Sequence, residues 1–531
     1  MENLIKQWWD KRILWVWLGL ALVHGLAAIV QHHQVASIIT LVAIGFVTLA
    51  LTWRSLPLGL ALAFLEIFVG GHGHLIEATA LGFSLSIRMV IFGAVMLGWF
   101  LLVVTRRAKL EFNRTRDWPL VLLCAAVILG TVKGFLTNDP SQAFDDMNGY
   151  LTLLYLLPIA SVVWGNNEKR LLLLTLMTAG TWVAMTTLVL FFAFTHLPGK
   201  ALFELYTFVR DARLAEITLL NGDFFSRFLG ATPWYFRIFQ QSQAIVLALG
   251  LVFAASCYSA TSLSRREALF ASGLLALLIA GFAAGQSRSL IIGAIAGFIA
   301  LNVIVLLTTR GPRQFLRTKA IGLTAIIIAA ASLLVLAVFP LPSRPDLSEA
   351  AFYKKDAGDT RELAVSSRWS LLGPMMDEVL AEPIIGAGFG ENVTFISDDP
   401  RLRAINPSGE VTTYRFEWGY QDIWLKMGIF GLLGFIWYFL TIGAVTLETL
   451  RNNRQAWAAI GWFSVLTALF TANVFTPYLN HPIGLSLMLV ALPFYHWLKP
   501  KTQAVDAAPA ATRRPANAYQ PSTATREVQA P

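Results

Sequence analysis

Hydrophobic positions in this chain fall in long blocks separated by short polar segments, from Ile13 to Trp497. A helix needs ~20 residues to cross the hydrocarbon core of a bilayer. Lipid offers no partner to an unpaired backbone group, so repeated blocks of that length mean helices, whereas a barrel would show shorter alternating segments. The pattern predicts spans near 13–30, 35–52, 56–70, 87–104, 119–136, 148–164, 171–194, 243–259, 268–285, 289–308, 320–339, 422–445, 456–473 and 482–497. The expected fold class is therefore an all-α integral membrane protein with about 14 transmembrane helices. The first block follows Lys6, Lys11 and Arg12 as a signal peptide would, but no small-residue cleavage site comes after it and more spans follow directly, so it reads as a helix.

Charge orients these spans. With the N-terminus inside, Arg106, Arg107, Lys109, Arg114 and Arg116 fall inside, as do Lys169, Arg170, Arg265, Arg266, Arg310, Arg313, Arg317, Lys319, Arg451, Arg454, Lys499 and Lys501. Both termini are then expected in the cytoplasm. The outer turn from Thr137 to Asn148 carries Asp139, Asp145 and Asp146 instead, and among the short outer turns Arg288 breaks the trend.

Two outer segments are too long to be simple turns. The expected division is 1–194, N-terminal transmembrane helices; 195–242, an aromatic-rich amphipathic loop; 243–339, transmembrane helices with the Arg288 turn; 340–421, a large periplasmic loop; 422–497, C-terminal transmembrane helices; and 498–531, a disordered cytoplasmic tail rich in Ala, Pro, Thr and Gln. The first long loop is expected to form amphipathic helices at the outer membrane face. The second is expected to be ordered and helical, because Trp369, Leu372, Met376, Val379 and Leu380 recur at helical spacing.

Composition agrees with a bilayer protein: 56% of residues are hydrophobic, 14% are charged, and the mean hydropathy is +0.61. The net charge of +9 could suggest nucleic acid, but the basic residues sit between spans rather than on one soluble face. Cys124 and Cys257 lie inside apolar runs and imply no disulfide framework. No internal repeat is visible, which weakens a transporter built from duplicated halves.

Candidate chemistry gathers at the outer face. Arg288, in Gly285-Gln-Ser-Arg-Ser, is a charge in a tight turn against the positive-inside trend, which points to a functional partner; the plain alternative is an arginine snorkelling to lipid phosphates or paired with a loop carboxylate. Arg368 opens the amphipathic stretch of the large loop. Gly386, Gly388 and Gly390 follow, without the preceding strand that a nucleotide-binding loop requires. Glu417 lies where the loop re-enters the membrane, and on a helix Tyr420 and Gln421 would share its face. Partial burial there would suit it as a general base; pairing with Arg415 is the alternative. Trp369, Trp418 and Tyr420 are candidates to stack on a bound ligand, and His481, beside Asn480 in the last outer turn, to line the same mouth.

An outer Ser-Arg turn between two spans, an Arg-Trp stretch in a large loop, Pro383-Ile-Ile-Gly-Ala-Gly-Phe-Gly390, and a re-entry ending Gly428-Ile-Phe-Gly-Leu-Leu-Gly434 occur here in that order. In this the chain, from about Ser272 to Leu440, resembles the O-antigen ligase and O-antigen polymerase superfamily. The resemblance implies transfer of a glycan from a polyprenyl diphosphate to an acceptor hydroxyl, with no cofactor and no metal. It places Arg288 and Arg368 on the diphosphate. Its activating histidine falls on Glu417 and the asparagine that usually follows falls on Trp418, a departure from the family pattern.

The leading expectation is a metal-independent inverting glycosyltransferase of the bacterial inner membrane that polymerises lipid-linked oligosaccharide repeats into O-antigen, capsule or exopolysaccharide. The alternatives are a ligase moving a finished glycan onto lipid A core or protein, and a polysaccharide flippase or other transporter. Expected partners are the polyprenyl-diphosphate-linked oligosaccharide, membrane lipids, and the flippase and chain-length or export proteins of the same pathway, with no nucleic acid.

Overall fold

The computed structural model describes residues 4–495 apart from 32, 81–82, 198, 221–234, 261, 309–311, 341–357, 398, 400–402, 404–405 and 453–455. The predicted tail 498–531 lies outside the described residues. In chain order the elements begin with α1 (Leu4–Trp8), α2 (Arg12–Val30), α3 (Gln34–Arg54) and α4 (Leu56–Val69). A hairpin of β1 (Glu77–Ala80) and β2 (Phe83–Ser86) precedes α5 (Ile87–Val104) and α6 (Arg114–Thr137). Then come α7 (Pro140–Met147), a 3-10 helix (Asn148–Tyr155), α8 (Leu156–Ala160), α9 (Asn166–His196) and α10 (Gly199–Asp211). A second hairpin, β3 (Glu216–Leu220) with β4 (Tyr235–Phe239), leads to α11 (Gln243–Ser259), α12 (Arg265–Gly285), α13 (Arg288–Thr308) and α14 (Pro312–Val338). The last part holds α15 (Gly358–Ala381), the hairpin β5 (Val393–Ile396) with β6 (Glu410–Thr413), α16 (Gly419–Asn452), α17 (Trp457–Ala472) and α18 (Pro482–Ala491).

Among the described residues nine helices are long and apolar enough to cross a membrane, and α4, α11, α17 and the stretch from α18 to Phe494 are shorter apolar helices. This is a multi-pass, mostly helical membrane protein with three small two-stranded sheets among the described residues, rather than a purely helical one. The exception among the predicted spans is 148–164, where the chain runs as 3-10 helix followed by one short α-helix. 3-10 geometry rises ~2.0 Å per residue, more than an α-helix does. Its start adjoins Asp146, which accepts from the Gly390 amide, and at its end the Ala160 carbonyl accepts from Glu111 in the α5–α6 linker.

The core lies around α9, α11, α17 and α18. Small residues set the closest approach: an added Cβ on Gly293 or Gly297 of α13 would come within 2.4 Å of the Ala468 carbonyl oxygen or 2.7 Å of that of Ser464 on α17. Helices in lipid gain most from such backbone proximity, because apolar burial gives little there. At one end Trp8 donates its indole N–H to Ser256, and Leu4 donates to Glu267, itself part of a capping box with Ser264. The opposite end carries Arg288 and both long loops.

The first long loop departs from the expected helices in its second half. α10 is the amphipathic helix, burying Leu202 and Val209, but β3 and β4 pair as an antiparallel hairpin, Glu216 opposite Phe239. Helix α10 ends with the Leu214 amide on the Val209 carbonyl, and Arg213 takes the left-handed conformation (φ +48°) at a position where glycine is usual. A non-glycine residue there costs about 1 kcal/mol. The second loop contains the expected helix, but its buried stripe is Leu371, Met375 and Val379, while Trp369 and Leu380 are exposed. The face is turned because Val393, Phe395, Phe416 and Trp418 pack against that stripe.

Candidate active site

Helix α16 is interrupted at Gly428, whose φ of +63° breaks the α-helical hydrogen-bond ladder about three turns from the Glu417 end. The released groups are taken up by the loop from Pro383 to Gly390. Ala387 N–H donates to the Leu425 carbonyl at 2.7 Å, and Ile429 N–H donates to the Pro383 carbonyl at 3.0 Å. The Trp424 indole donates to Pro383 O at 2.9 Å. Gly386, Gly388 and Gly390 all have positive φ, and each lies where the loop crosses another backbone: at Gly428, at Gly134 of α6 and at Ala143 of α7. The glycine run of the sequence is thus a close-packed plug in a broken helix, and Lys133 of α6 pairs with Glu382 at its entrance.

Under this plug lies a buried charge network that the sequence reading overlooked. Lys426 sits 2.6 Å from Asp146 and 2.5 Å from Asp422, one helical turn before it. Asp146 also accepts from the Gly390 amide at 3.0 Å, and Asn480 donates to Asp422. A buried cation flanked by two carboxylates and their hydrogen-bond donors is the arrangement low dielectric demands. It binds α16, the acidic turn of Asp145 and Asp146, the glycine loop and the last turn into one piece. The signal was present: Lys426 is the sole charge between Asp422 and Glu448, four residues from an aspartate.

Glu417 precedes α16 rather than lying on it, so Tyr420 and Gln421 do not share its face; Trp418 supplies the carbonyl that accepts from Asp422 N–H at 2.8 Å. Its partner is Arg368, not Arg415, and the pair is about half exposed instead of buried. Arg415 lies 3.6 Å from Asp145. The two candidates that sequence placed 49 positions apart, Arg368 and Glu417, therefore meet.

The aromatic candidates divide. Trp418 is buried: its indole donates to the Arg368 carbonyl at 2.9 Å, and its ring lies 4.8 Å from that of Trp369 and 6.0 Å from that of Phe475. It has no free face for a sugar and acts as the wall that fixes Arg368. Trp369, 57% exposed, does present its ring. Tyr420 donates its hydroxyl to the Phe470 carbonyl at 2.7 Å and ties α16 to α17.

Arg288 opens α13 and is exposed. Among the described residues it has no hydrogen-bond or ion-pair partner. The two serines beside it are held in place: Ser289 accepts from Thr476 at 2.9 Å and lies 3.3 Å from Ser287. Thr476 adjoins Phe475, the ring against Trp418, so a short path of contacts joins Arg288 to the Arg368–Glu417 pair across the α17–α18 turn. His481 caps α18 by accepting from Ile483 N–H and meets the ring of His72 edge-on at 5.6 Å. Burial, with His72 and Arg88 nearby, holds His481 well below the usual histidine range.

Among the described residues no three His, Cys, Asp or Glu side chains are grouped as metal ligands would be. Arginines facing a carboxylate at an exposed helix end can bind an anionic phosphate ester and accept a proton from a hydroxyl.

No curated protein matches the chain significantly. A match to a known family covers under a third of it, from α12 through the broken part of α16, and includes Arg288, Arg368, Glu417, Asp422 and Lys426. Over residues 273–436 this multi-pass membrane protein matches a family model described as O-antigen ligase, and that match supports a likeness to the O-antigen ligase superfamily.

Proposed function

We propose that this protein is a glycosyltransferase of the bacterial inner membrane that polymerises polyprenyl-diphosphate-linked oligosaccharide repeats on the periplasmic side. The observation that carries the reading is the Arg368–Glu417 pair, at the same end of the bundle as Arg288, which has no ion-pair partner among the described residues, and inside the matched segment. An acceptor hydroxyl gives its proton to the Glu417 carboxylate, and its oxygen bonds to the anomeric carbon of the donor sugar. The bond from that carbon to the diphosphate oxygen breaks, and the electron pair leaves with the polyprenyl diphosphate. Direct displacement inverts the anomeric configuration. Guanidinium groups at Arg288 and Arg368 stabilise the charge that grows on the leaving diphosphate. The half-exposed Arg368 is reachable by that diphosphate without further desolvation of the pair.

A second feature supports a lipid-borne donor. A groove of roughly 720 Å³ runs between α11, α12, α13 and α14, lined almost wholly by apolar side chains. It begins at Ile291, one helical turn from Arg288, and ends near Tyr258 and Lys319. A diphosphate at Arg288 would place a polyprenyl chain at its mouth. The flippase and the chain-length or export proteins of such a pathway would be its functional neighbours.

The family description itself favours a second reading, a ligase that moves a finished glycan to lipid A core or protein. Both use one chemistry and differ in the acceptor. Purified protein incubated with a lipid-linked repeat and no other acceptor separates them. A ladder of lengthening products that is lost in Glu417→Gln and Arg288→Ala supports polymerisation; transfer only after a separate acceptor is added makes the protein a ligase.

A further inference from the structure

Next to the Arg368–Glu417 pair, three parts of the chain bring basic side chains to one rim. The loop after α4 supplies His72 and His74, the turn after α10 supplies Arg213, and the connection from β6 to α16 supplies Arg415. The Arg213 guanidinium donates to His74 Nε2 at 3.2 Å. Arg88, at the start of α5, donates to the Gly71 carbonyl at 2.9 Å and underlies Gly73, where an added Cβ would meet its guanidinium at 2.8 Å. His72 meets His481 edge-on, which joins this rim to the turn that holds Asn480 against Asp422.

The carboxylates nearby are each engaged. Glu66 holds Arg88 at 3.0 Å, Glu77 holds His74 at 2.7 Å and accepts from Ser84, and Asp145 lies 3.6 Å from Arg415. Arg213 packs against the His72 loop, where a Cβ on Gly71 would lie 3.1 Å from the Arg213 carbonyl oxygen; burial first, then Arg88, His74, Arg213 and Arg415, hold His72 down to about 4. Arg213 and Arg415 are both exposed, and beyond its bond to His74 the Arg213 fork has donors to spare. Arg213 also occupies the left-handed position that ends α10, where glycine would fit without strain.

We propose that the rim formed by His72, Arg213 and Arg415 is a subsite for an anionic sugar, one bearing a carboxylate, in the glycan that this protein extends or transfers. The proposal rests on the glycosyltransferase reading for its context, since Arg415 is two residues from Glu417. A planar carboxylate on a sugar ring matches an arginine fork bidentately, and a second arginine and a neutral imidazole complete a site that discriminates charge. The same anionic chemistry could come from the donor's diphosphate, so the test includes both.

The experiment measures binding of a glucuronate-containing oligosaccharide to the full chain in detergent, against the same oligosaccharide with its carboxyl groups reduced, and against inorganic diphosphate. Arg213→Gly and Arg415→Gln are compared with wild type. Arg213→Gly removes the guanidinium while relieving the left-handed strain, so its thermal midpoint is expected at or above that of wild type and misfolding does not confuse the result. Wild type is expected to prefer the acidic oligosaccharide by roughly tenfold or more. Both variants should lose that preference and keep their affinity for the reduced one. Equal affinity for the two saccharides in wild type, no binding of either, or a preference that survives in both variants overturns the proposal. So does a loss confined to diphosphate, which would assign the rim to the donor head. Saccharide discrimination without any product ladder would sink the polymerase reading and leave this subsite standing; a ladder without discrimination would do the reverse.

Discussion

Lys426 and Asp146, 280 residues apart in sequence, meet at 2.6 Å in a site where the lysine side chain is 3% exposed. Because Asp422 and the Gly390 amide join the same network, this one contact holds α16, the acidic turn and the glycine loop in register. Lys426→Ala leaves two buried carboxylates facing each other and is expected to destabilise the protein by ~3–5 kcal/mol. Thermal unfolding in detergent measures it. Lys426→Met combined with Asp146→Asn and Asp422→Asn removes all three charges and should recover most of the loss; if it does not, the network holds the site by charge and not merely by packing.

The Arg368–Glu417 pair is the opposite case. It is half exposed, so its contribution to stability is small, ~0–1 kcal/mol. Glu417→Gln and Arg368→Ala are each expected to lower glycan transfer about 10²- to 10⁴-fold with little change in the unfolding midpoint. Turnover of a lipid-linked repeat, measured beside thermal unfolding, checks both halves. A parallel fall in activity and midpoint would mean that the pair supports the fold and not the chemistry.

Gly428 carries a backbone requirement. Its φ is +63°, and an added Cβ would sit 2.0 Å from the Ile384 carbonyl oxygen. Gly428→Ala must therefore expel the 383–390 loop from the helix break, and it is expected to lose well over ~1 kcal/mol of stability together with activity. Gly322→Ala on α14, where an added Cβ meets nothing within 4 Å, is the control and should gain up to about 1 kcal/mol. Equal behaviour of the two variants would show that the break at Gly428 is not maintained.

What could be read from the sequence follows from the range of the forces involved. Helices such as α2, α13 and α14 were legible because lipid imposes a length and a polarity on each segment alone. Segment 148–160 was not legible as 3-10 helix, since its winding is set by what it spans, from Asp146 to the Ala160–Glu111 contact. The hairpin of β3 and β4 was hidden by aromatic residues that suit an amphipathic helix equally well. In the site, Arg288, Arg368 and Glu417 stood out as charges at membrane boundaries. Their mutual geometry did not, because Glu417 chose Arg368 over its near neighbour Arg415. Lys426 was passed over since its meaning depends on Asp146, far along the chain and visible only after folding.

Two histidines at this end make acid sensitivity a further expectation. Burial and neighbouring cations hold His72 down to about 4 and His481 well below the usual range. An unfolded chain protonates histidine near ~6.5, so below that pH it binds protons that the folded protein refuses. Stability is then fully present above ~6.5 and falls as pH drops towards about 4, the opposite of a histidine paired with a carboxylate. His481 adds a structural reason: its Nδ1 accepts the Ile483 amide at the start of α18, and a protonated ring cannot accept. Asparagine keeps a cap and does not titrate. His481→Asn combined with His72→Gln is therefore expected to flatten the dependence of the unfolding midpoint on pH between 6.5 and 4.5, while leaving the midpoint at pH 7.5 close to that of wild type. An unchanged slope in the double variant would assign the acid sensitivity to carboxylates elsewhere and remove these two histidines from the account.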